Sequence, residues 1–403
     1  MNDPKRVVVA MSGGVDSSVA AGLLQQAGYD VLGVTMRLWT QEDAAAARHH
    51  KRCCSVEDTD DARAAAEVLG IRHYVLNLER EFAENVVDHF VREYTLGRTP
   101  NPCLECNDRV KFRPLLEHAL ALNADYLSTG HYARVQETQG GFELHRAFDP
   151  SKDQSYVLYT LGQPELSRTL FPVGELPKSE IRRLAHEWCL PNADKPDSAD
   201  ICFIPSGDYR AFVRERVPAA AGAIVNESGE KLGEHEGIVN YTIGQRRGLP
   251  ARGGGEPLFV VDLDAGTNTV IAGDNAGLMA EGLIAEELAF INGKPPSGDM
   301  RADVRIRYQS EPVPSRVRIT GERAEIRFDR PQRAVTPGQA AVLYDGDNVI
   351  GGGTIVSRLQ LPSSLKLAHT KHLLTTPAII PKLTVSPRPP GGSLNARQPR
   401  RSP

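Results

Sequence analysis

Hydrophobic residues in the first third of the chain alternate between short β-branched runs and longer segments rich in Ala and Leu. The short runs have the length of buried strands, and two of the longer segments stop at Gly28 and Gly70, which is typical of helix C-termini. Strands and helices that alternate at this spacing predict a parallel sheet covered by helices. The predicted strands are 7–10, 30–35, 73–78 and 124–129, and the predicted helices are 17–27, 58–69 and 81–94.

Beyond about residue 206 the pattern changes to short alternating runs that are separated by turn-forming residues such as Asp-Gly and Gly-Glu. Several short strands at this spacing predict a small β-barrel or sandwich. The predicted strands are 258–262, 269–272, 302–308, 315–319, 324–328 and 341–344.

The last segment, residues 359–403, has a different composition. It contains eight of the 28 prolines and seven Lys or Arg residues but no Asp or Glu. Such a segment buries too little apolar surface to offset the entropy that ordering costs. We therefore expect residues 359–403 to form a disordered basic tail that is not needed for activity.

Composition and charge limit the classes of protein to which the chain can belong. A chain of 403 residues with 40% hydrophobic residues suits two or three domains, and no run of about 18 apolar residues predicts a transmembrane helix. The net charge is −4, and it is −11 over residues 1–358, where 40 basic and 51 acidic residues remain. Net charge thus gives no indication of nucleic-acid binding, which would depend on local basic patches.

The six cysteines are too few for a disulfide framework in a chain of this length. The N-terminus does not resemble a secretion signal, so we expect a cytoplasmic protein in a reducing compartment. There, the Cys-x-x-Cys pair at Cys103 and Cys106 is more typical of catalysis, redox chemistry or metal binding than of structure. Cys189, at the end of an amphipathic segment, is expected to be a packed thiol, and Cys53 and Cys54 are expected in a basic loop.

The segment Ser-Gly-Gly-Val-Asp-Ser-Ser at 12–18 lies between a predicted strand and a predicted helix. Two glycines allow the backbone to turn its N–H groups towards an anion, and the helix N-terminus favours the same charge. Three serine hydroxyls offer further donors, whereas Asp16 would repel a phosphate unless it holds or positions Mg²⁺. The segment is neither a Walker A loop nor a dinucleotide-binding fingerprint. It resembles the loop of the ATP pyrophosphatases of the PP-loop superfamily, which cleave ATP between the α and β phosphates.

The cysteines indicate which chemistry accompanies this loop. Cys103 and Cys106 lie in Thr-Pro-Asn-Pro-Cys-Leu-Glu-Cys-Asn, for which the two prolines predict a stiff loop, and Cys202 lies far along the chain. A site that activates a carbonyl with ATP, combined with paired thiols, suggests sulfur transfer. One thiol would carry sulfur as a persulfide, and the other would release it by forming a disulfide.

With these cysteines the chain resembles the bacterial tRNA-specific 2-thiouridylases, a family of tRNA uridine 2-sulfurtransferases. The resemblance covers about residues 5–358 and includes Thr-Gly-His-Tyr-Ala-Arg at 129–134, Lys-Asp-Gln-Ser-Tyr at 152–156 and Ile-Cys-Phe at 201–203. Further matching segments are 97–102, 106–107, 111–112, 197–198, 241–249, 307–308, 337–341 and 351–353.

The resemblance implies an α/β fold with three domains. A parallel-sheet, adenine-nucleotide α-hydrolase-like catalytic domain would span 1–206, a small central tRNA-binding domain 207–274 and a C-terminal β-barrel 275–358. The tail from 359 has no counterpart in the family.

The resemblance also implies roles for individual residues. Cys106 would be the nucleophile, Cys202 the persulfide carrier, and Asp16 a catalytic group. The residues implied in ATP binding are Ala10, Met11, Ser12, Gly13, Gly14, Val15, Asp16, Ser17, Met36 and Gly130. Those implied in contacts with the target uridine or the rest of the tRNA are Asn101, Pro102, Cys103, Lys152, Asp153, Gln154, Arg307 and Tyr308.

Two points at the cysteines stay open. Some relatives have Asp where this chain has Cys103, and a thiol can do acid–base work only with a suitable pKa. In addition, Cys103, Cys106 and Cys202 could hold a [4Fe–4S] cluster that leaves one iron open to carry sulfur. A structural zinc site lacks an evident fourth ligand.

The reaction expected from the resemblance is ATP-dependent 2-thiolation of the wobble uridine, position 34, in tRNAs of the Lys, Glu and Gln type. ATP and Mg²⁺ would be required, and sulfur would come from a cysteine desulfurase or a relay protein. The alternatives are a different adenylating enzyme of the superfamily, which would have no use for the paired thiols, and a non-catalytic RNA-binding protein, against which the presence of Asp16, Cys106 and Cys202 argues.

Overall fold

The computed structural model describes residues 3–38, 56–197, 201–204, 207–251 and 257–360. The N-terminal region is built on a five-stranded parallel sheet with the order β3-β2-β1-β4-β7. The predicted α/β architecture is confirmed, and the four predicted strands are each found within two residues of their expected limits. The strands are β1 (Arg6–Ala10), β2 (Asp30–Arg37), β3 (Arg72–Asn77), β4 (Tyr126–Thr129) and β7 (Thr169–Leu170).

Helices cover both faces of this sheet, and two of them are extended by π-helical turns at Ala83–Val87 and Asn107–Lys111. All three predicted helices are found, and the first π-helical turn divides the third of them into two helices. The helices are α1 (Val15–Gln26), α2 (Val56–Leu69), α3 (Glu79–Phe82), α4 (Asp88–Thr95), α5 (Pro102–Cys106), α6 (Pro114–Ala121), α7 (Gln163–Leu166), α8 (Lys178–Glu187) and α9 (Tyr209–Arg214).

The order of the strands creates a position where a ligand can bind. β2 and β3 lie on one side of β1, whereas β4 lies on the other, so chain connections diverge between β1 and β4. In open α/β sheets, the crevice outside the carboxyl ends of such strands is where ligands bind. The glycine-rich loop follows β1 and Gly130 follows β4, so both face this crevice.

The prediction of a stiff loop around Cys103 and Cys106 is wrong, because a helix begins at Pro102. Pro102 occupies the first helical position, where a proline loses no hydrogen bond. The Asn101 side chain caps the helix by accepting a hydrogen bond from the backbone N–H of Cys103 at 3.1 Å. Asn101 and Pro102 are therefore the N-cap and the first residue of a helix.

The second half of the chain contains two β-sheets, as the change in pattern predicted. A four-stranded sheet has the order β10-β11-β8-β9 and belongs to the central region. Its strands are β8 (Gly222–Asn226), β9 (Lys231–His235), β10 (Phe259–Asp264) and β11 (Thr269–Gly273).

The other sheet forms a closed barrel of six strands, because β12 pairs with both β15 and β17. Val304, Val317, Ile326 and Ile355 fill its interior, each no more than 1% exposed. The strands are β12 (Met279–Phe290), β13 (Asp299–Arg305), β14 (Val313–Thr320), β15 (Arg323–Arg333), β16 (Ala340–Asp345) and β17 (Asn348–Gln360).

A hairpin of the N-terminal region, β5 (Ala133–Thr138) and β6 (Gly141–Arg146), extends the barrel sheet through pairing of β6 with β17. A buried ion pair connects the same two regions, since Asp153 accepts from Arg305 Nη1 at 2.8 Å. The Asp153 side chain is 1% exposed and that of Arg305 is 13% exposed. The barrel is thus fixed to the segment that follows the hairpin.

Asp153→Asn is expected to destabilise the protein by about 3–5 kcal/mol, because it leaves the Arg305 guanidinium buried without its counter-charge. Asp299→Asn is the matched control. It breaks the Arg318–Asp299 pair on the same barrel, whose side chains are 65% and 63% exposed, and should cost far less stability because solvent screens an exposed pair. Urea unfolding measures both, and equal losses would show that Asp153 and Arg305 do not form a buried pair.

Within the described ranges, the structure contains no helix long and apolar enough to cross a membrane. Three features from the sequence analysis lie outside the described residues. They are residues 361–403, which make up almost all of the expected tail, the basic segment with Cys53 and Cys54, and Ser198.

Candidate active site

The glycine-rich loop after β1 leaves the N–H groups of the first turn of α1 facing the crevice. Gly14 is the N-cap of α1 and has no side chain that could compete for these donors. The serine hydroxyls serve the loop itself. Ser17 Oγ donates to the Gly14 carbonyl at 3.0 Å and Ser18 Oγ to the same oxygen at 3.3 Å. Anion binding by this loop therefore depends on backbone N–H groups.

Two glycines allow other backbone segments to approach this loop closely. Gly13 has φ +74°, and a Cβ atom there would lie 2.2 Å from the carbonyl oxygen of Asp58 in α2. A Cβ atom on Gly130 would lie 2.6 Å from the backbone nitrogen of Ser17. Gly130 thus lies directly against the first turn of α1, beside the crevice.

Gly13→Ala is expected to destabilise the protein by more than about 3 kcal/mol and to weaken nucleotide binding, because strain adds to a collision with Asp58. Gly28→Ala is the matched control. Gly28 also has a left-handed φ of +86°, but no atom lies within 4 Å of a Cβ there, so it should cost only about 1–2 kcal/mol. Denaturant midpoints and nucleotide titration compare them, and equal costs would refute the close approach at Gly13.

The carboxylate of Asp16 is held by a tyrosine and a lysine. Tyr132 donates its hydroxyl to Asp16 Oδ1 at 2.7 Å, and Lys178 Nζ lies 2.6 and 2.9 Å from the two carboxylate oxygens. The Lys178 side chain is only 13% exposed. Its ammonium also lies 5.7 Å from the centre of the Tyr132 ring. Asp16 therefore holds the Lys178 ammonium next to the N-terminus of α1.

Asp197 extends this network away from the loop. Its carboxylate binds Lys178 at 2.8 Å, Lys152 at 2.9 Å and Arg182 at 3.1 Å. Desolvation opposes the charge of Asp197, but hydrogen bonds from Lys178 and Lys152 outweigh it and lower its pKa to about 2. Asp197 is therefore charged throughout the physiological range.

The other residues predicted to bind ATP surround the loop or support it. Ala10 ends β1, Met36 is a buried residue of β2, and Val15 begins α1. The backbone N–H and C=O of Met11 are both occupied, by Val34 and by the Thr35 hydroxyl. The Met11 side chain is 1% exposed. Ser12 donates its N–H to Ser17 Oγ at 3.2 Å.

Cys106 is the last residue of α5 and is buried, with 8% of its surface exposed. Helix α5 packs against the π-helical turn Ala83–Val87 and against a 3₁₀ helix, Ser155–Leu158. The next residue, Asn107, donates to the carbonyl of Val157 at 2.9 Å and accepts from Lys111 Nζ at 3.0 Å. The thiol thus lies in a helix that packs against several others.

Cys202 is half-buried and packs against the same hydrophobic core as Cys106. The adjacent Phe203 fixes this segment, since its ring centre lies 5.7 Å from that of Phe82 and 5.2 Å from that of Phe90. These two rings flank the π-helical turn that contacts α5. The structure thereby brings the segments that carry the two predicted catalytic thiols to one group of helices.

Cys103 is exposed at the start of α5 and lies near residues of the barrel region. Burial raises the pKa of Tyr308, Asp153 and Cys103 add to the effect, and a hydrogen bond from the Gln154 side chain opposes it. Gln154 and Cys103 therefore lie close enough to Tyr308 to affect its hydroxyl, and their contact with tRNA stays a prediction.

The remaining residues of the predicted tRNA surface are occupied within the protein. The Asp153 carboxylate is directed into the buried pair with Arg305. Arg307 donates to the backbone carbonyls of Arg333 and Ala334, and Lys152 pairs with Asp197. The Lys152–Asp197 ion pair is more exposed than the Asp153–Arg305 pair.

The three thiols proposed for an iron–sulfur cluster do not form a ligand set. In the described ranges, which include Cys103, Cys106 and Cys202, no three Cys, His, Asp or Glu side chains converge as metal ligands. The thiols also differ in environment: one is exposed, one is buried and one is half-buried. The donor set does not fit the cluster, and the persulfide route is favoured.

Sequence reasoning missed Lys178, Asp197 and Asn192 as parts of the site. Asn192 donates its side-chain amide to the Gly13 carbonyl at 3.1 Å and to Ser18 Oγ at 2.9 Å, which secures the loop. Lys178 had a detectable signal, because a lysine in the first turn of a helix is unfavourable for the helix dipole unless acidic groups surround it. Cys189, expected to be packed, is exposed at φ +53° just after α8.

A parallel sheet with a glycine-rich anion loop after its central strand, at the point where the strand order diverges, is typical of α/β domains that bind nucleotides. The model of the tRNA methyl transferase HUP domain matches residues 5–206. The models of the tRNA methyl transferase PRC-barrel domain and of the aminomethyltransferase beta-barrel domain match residues 210–274 and 280–355.

Comparison with curated proteins identifies the family more specifically. The chain is 48% identical to the tRNA-specific 2-thiouridylase MnmA of Chloroflexus aggregans over 87% of this chain and 98% of that protein. It is 47% identical to the protein of the same name from Carboxydothermus hydrogenoformans, over 88% and 98%. The chain belongs to the tRNA-specific 2-thiouridylase family. A solved 4-thiouridine synthetase–RNA complex with bound ATP covers 53% of this chain at 18% identity, with a TM-score of 0.32, too low to support an argument.

Proposed function

We propose that this protein is an ATP-dependent tRNA-uridine 2-sulfurtransferase that thiolates the wobble uridine, position 34, of tRNAs of the Lys, Glu and Gln type. The observation that carries the proposal is that one domain holds both an anion loop at the switch point of a parallel sheet and two thiols supported by one group of helices. Relatives that the chain matches over nearly their whole length are named tRNA-specific 2-thiouridylases.

In the first step, the O2 atom of the uridine attacks the α-phosphorus of ATP, and pyrophosphate leaves. Backbone N–H groups of the loop and the Lys178 ammonium neutralise the negative charge that accumulates on the phosphate oxygens. Asp16 fits Mg²⁺, since this ion needs only one or two carboxylates when phosphates supply other ligands, and the carboxylate already accepts a cation. When bound, Mg²⁺ would add charge neutralisation at the phosphates.

In the second step, sulfur replaces the activated oxygen. The Cys202 persulfide, or hydrosulfide released from it, attacks C2 of the uridine, and AMP leaves with the former O2 atom. Cys106 attacks the sulfur of Cys202 as a thiolate, which reduces the sulfane sulfur by two electrons and leaves a Cys106–Cys202 disulfide. A dithiol reductant then restores both thiols.

Substrate contacts follow the surface around α5. Asn101, Pro102 and Cys103 would meet the target uridine, and Lys152, Gln154, Arg307 and Tyr308 would contact the rest of the tRNA. The Asp153 carboxylate acts differently, because its pair with Arg305 places these residues instead of reaching RNA itself. The sulfur donor would be a cysteine desulfurase or a relay protein, and the reaction would take place in the cytoplasm.

The matching domain models carry the term methyl transferase, whereas the curated relatives are named thiouridylases. Methyl transfer has no use for a loop that binds the phosphates of ATP or for two thiols on adjoining segments. Thiolation uses both features, and we therefore favour it. The same thiols argue against another adenylating enzyme of the superfamily.

Pyrophosphate release, measured with and without tRNA, tests the proposal. The wild-type protein should release pyrophosphate only when ATP and an unmodified tRNA of the Lys, Glu or Gln type are both present. Release that is independent of tRNA would contradict the assignment of the uridine as the group that ATP activates.

A further inference from the structure

Asn192 is buried behind the glycine-rich loop and directs its side-chain amide at two points of it. One N–H donates to the carbonyl oxygen of Gly13 at 3.1 Å, and the other donates to Ser18 Oγ at 2.9 Å. The residue lies in the turn that follows α8 and is only 3% exposed. Because an amide NH₂ group has two N–H donors, both are used on the loop.

The acceptor of the same side chain contributes nothing to the fold. Asn192 Oδ1 is buried and receives no hydrogen bond from the described residues. A buried acceptor without a partner lowers stability, and an apolar side chain of similar size would avoid this loss. The side chain therefore serves the loop through its two donors while it lowers stability, which is typical of residues at functional sites.

The two glycines of the loop leave the peptide group between them without a preferred orientation. Rotation of this group changes ψ of Gly13 and φ of Gly14, and glycine adopts either sign of φ with similar ease. Gly13 itself has φ +74°. In one orientation the Gly14 N–H faces the crevice, whereas in the flipped orientation the Gly13 carbonyl oxygen faces it and would repel a phosphate. Local backbone preference therefore does not decide between a loop that binds anions and one that repels them.

Asn192 makes this selection from outside the loop. The 13–14 peptide is trans, so the Gly13 carbonyl and the Gly14 N–H point in opposite directions. Because Asn192 holds the carbonyl towards the protein interior, the N–H of the half-buried Gly14 is turned outwards, to the crevice. The second donor supports the next peptide, since Ser18 Oγ in turn donates to the Gly14 carbonyl at 3.3 Å.

We propose that Asn192 is a positioning residue that holds the 13–14 peptide in its anion-binding orientation and thereby sets the affinity of the loop for the phosphates of ATP. It acts through the backbone and contacts no phosphate itself. The inference rests on the proposed function, in which this loop binds ATP. Loss of the two donors should weaken the binding of phosphates and spare the binding of the nucleoside, a division that a loss of stability alone would not produce.

Calorimetric titration of the full-length protein with pyrophosphate and Mg²⁺, and separately with adenosine, tests the inference. Asn192→Leu keeps the size of the side chain and removes its donors. It should bind pyrophosphate about 10- to 100-fold more weakly, the loss expected for one hydrogen bond to a charged group, and adenosine within about twofold of the wild type. In the pyrophosphate-release assay, KM for ATP should rise more than kcat falls. Equal losses for pyrophosphate and adenosine, or no loss for either, would overturn the inference.

Asn268→Leu is the matched control, because Asn268 also donates its side-chain amide to two acceptors, the carbonyls of Ala220 and Ala221 at 3.1 and 2.9 Å. These bonds belong to the central region, and leucine at its φ of +51° adds backbone strain. The variant should be less stable in urea and should bind pyrophosphate as the wild type does. A loss of pyrophosphate affinity as large as that of Asn192→Leu would attribute the effect to general destabilisation and refute the role of Asn192.

A measurement on the wild-type protein decides the matter if Asn192→Leu does not fold. In protein labelled with ¹⁵N-glycine, the Gly14 amide proton should move downfield in the NMR spectrum when pyrophosphate and Mg²⁺ are added, because its N–H then donates to an anion. Adenosine should leave it in place. The resonance is identified by its absence from Gly14→Ala, in which the added Cβ meets no atom closer than 3.5 Å. An unmoved Gly14 resonance at saturating pyrophosphate would overturn the inference.

Thiolation of tRNA by the wild type, measured in the same buffer, separates this inference from the proposed function. A wild type that thiolates tRNA, together with an Asn192→Leu variant that binds pyrophosphate equally well, refutes only the role of Asn192. A wild type that neither releases pyrophosphate nor thiolates tRNA refutes the proposed function.

Discussion

Cys106→Ser and Cys202→Ser are each expected to lower tRNA thiolation by on the order of a thousandfold or more, while ATP binding stays unchanged. A serine cannot carry a persulfide, and its hydroxyl is not ionised at neutral pH, so it cannot attack one. Nucleotide binding should be spared because the loop that provides it, at residues 12–17, makes no described hydrogen bond with α5 or with 201–204. Mass spectrometry of tRNA nucleosides and nucleotide titration provide the two measurements.

The double variant should be no less active than either single variant, because the two thiols act as a unit in one step. Cys189→Ser is the matched control, since Cys189 is exposed at the end of α8, outside the proposed chemistry, and should retain full activity. Substantial thiolation by either Cys106→Ser or Cys202→Ser would eliminate the mechanism that uses both thiols.

Asp16→Ala is expected to reduce pyrophosphate release by about 10²–10³-fold and to leave tRNA affinity almost unchanged. The substitution removes the carboxylate that fixes the Lys178 ammonium at 2.6 Å beside the N-terminus of α1, and with it the site that suits Mg²⁺. The proposed tRNA contacts lie on α5 and on the barrel, so they should be unaffected. Pyrophosphate release and a tRNA binding assay measure the two effects.

Asp60→Asn provides the control for charge, because Asp60 is 62% exposed and pairs with Arg63 on α2. It should behave as the wild type in both assays. Pyrophosphate release by Asp16→Ala at the wild-type rate and at ordinary Mg²⁺ concentration would refute the role of this carboxylate.

The strands and helices of the N-terminal domain could be predicted because their signals are local. Short apolar runs rich in Val mark β1 and β2, and Gly28 and Gly70 mark the ends of α1 and α2, each with a left-handed φ that favours glycine. The start of α5 is also encoded locally, in the Asn101 cap and Pro102, but two prolines in a short segment equally indicate a loop. The local pattern left a barrel and a sandwich open, because closure depends on β12 pairing with β17, about 70 residues later, and only the family resemblance implied the barrel that is found.

The residues of the site also divide into those that local sequence reveals and those that only the folded chain brings together. The glycine-rich loop and the thiols are recognisable from sequence since their chemistry is carried by neighbouring residues. The network of Asp16, Lys178 and Asp197 is not, because its members come from three elements that meet only in the folded chain. Asp153 illustrates the reverse case: a charged residue in a predicted RNA-binding segment is buried, because Arg305 of the barrel neutralises it.

Mass spectrometry of nucleosides from digested tRNA tests the central claim most directly. The purified protein is incubated with unmodified tRNA of the Lys, Glu or Gln type, ATP, Mg²⁺, a persulfide donor and a dithiol reductant. We expect 2-thiouridine at position 34 in amounts that require ATP, accompanied by one AMP for each thiolated base. Absence of 2-thiouridine under conditions in which the protein binds both ATP and tRNA, or the appearance of a methylated base in its place, would contradict the account.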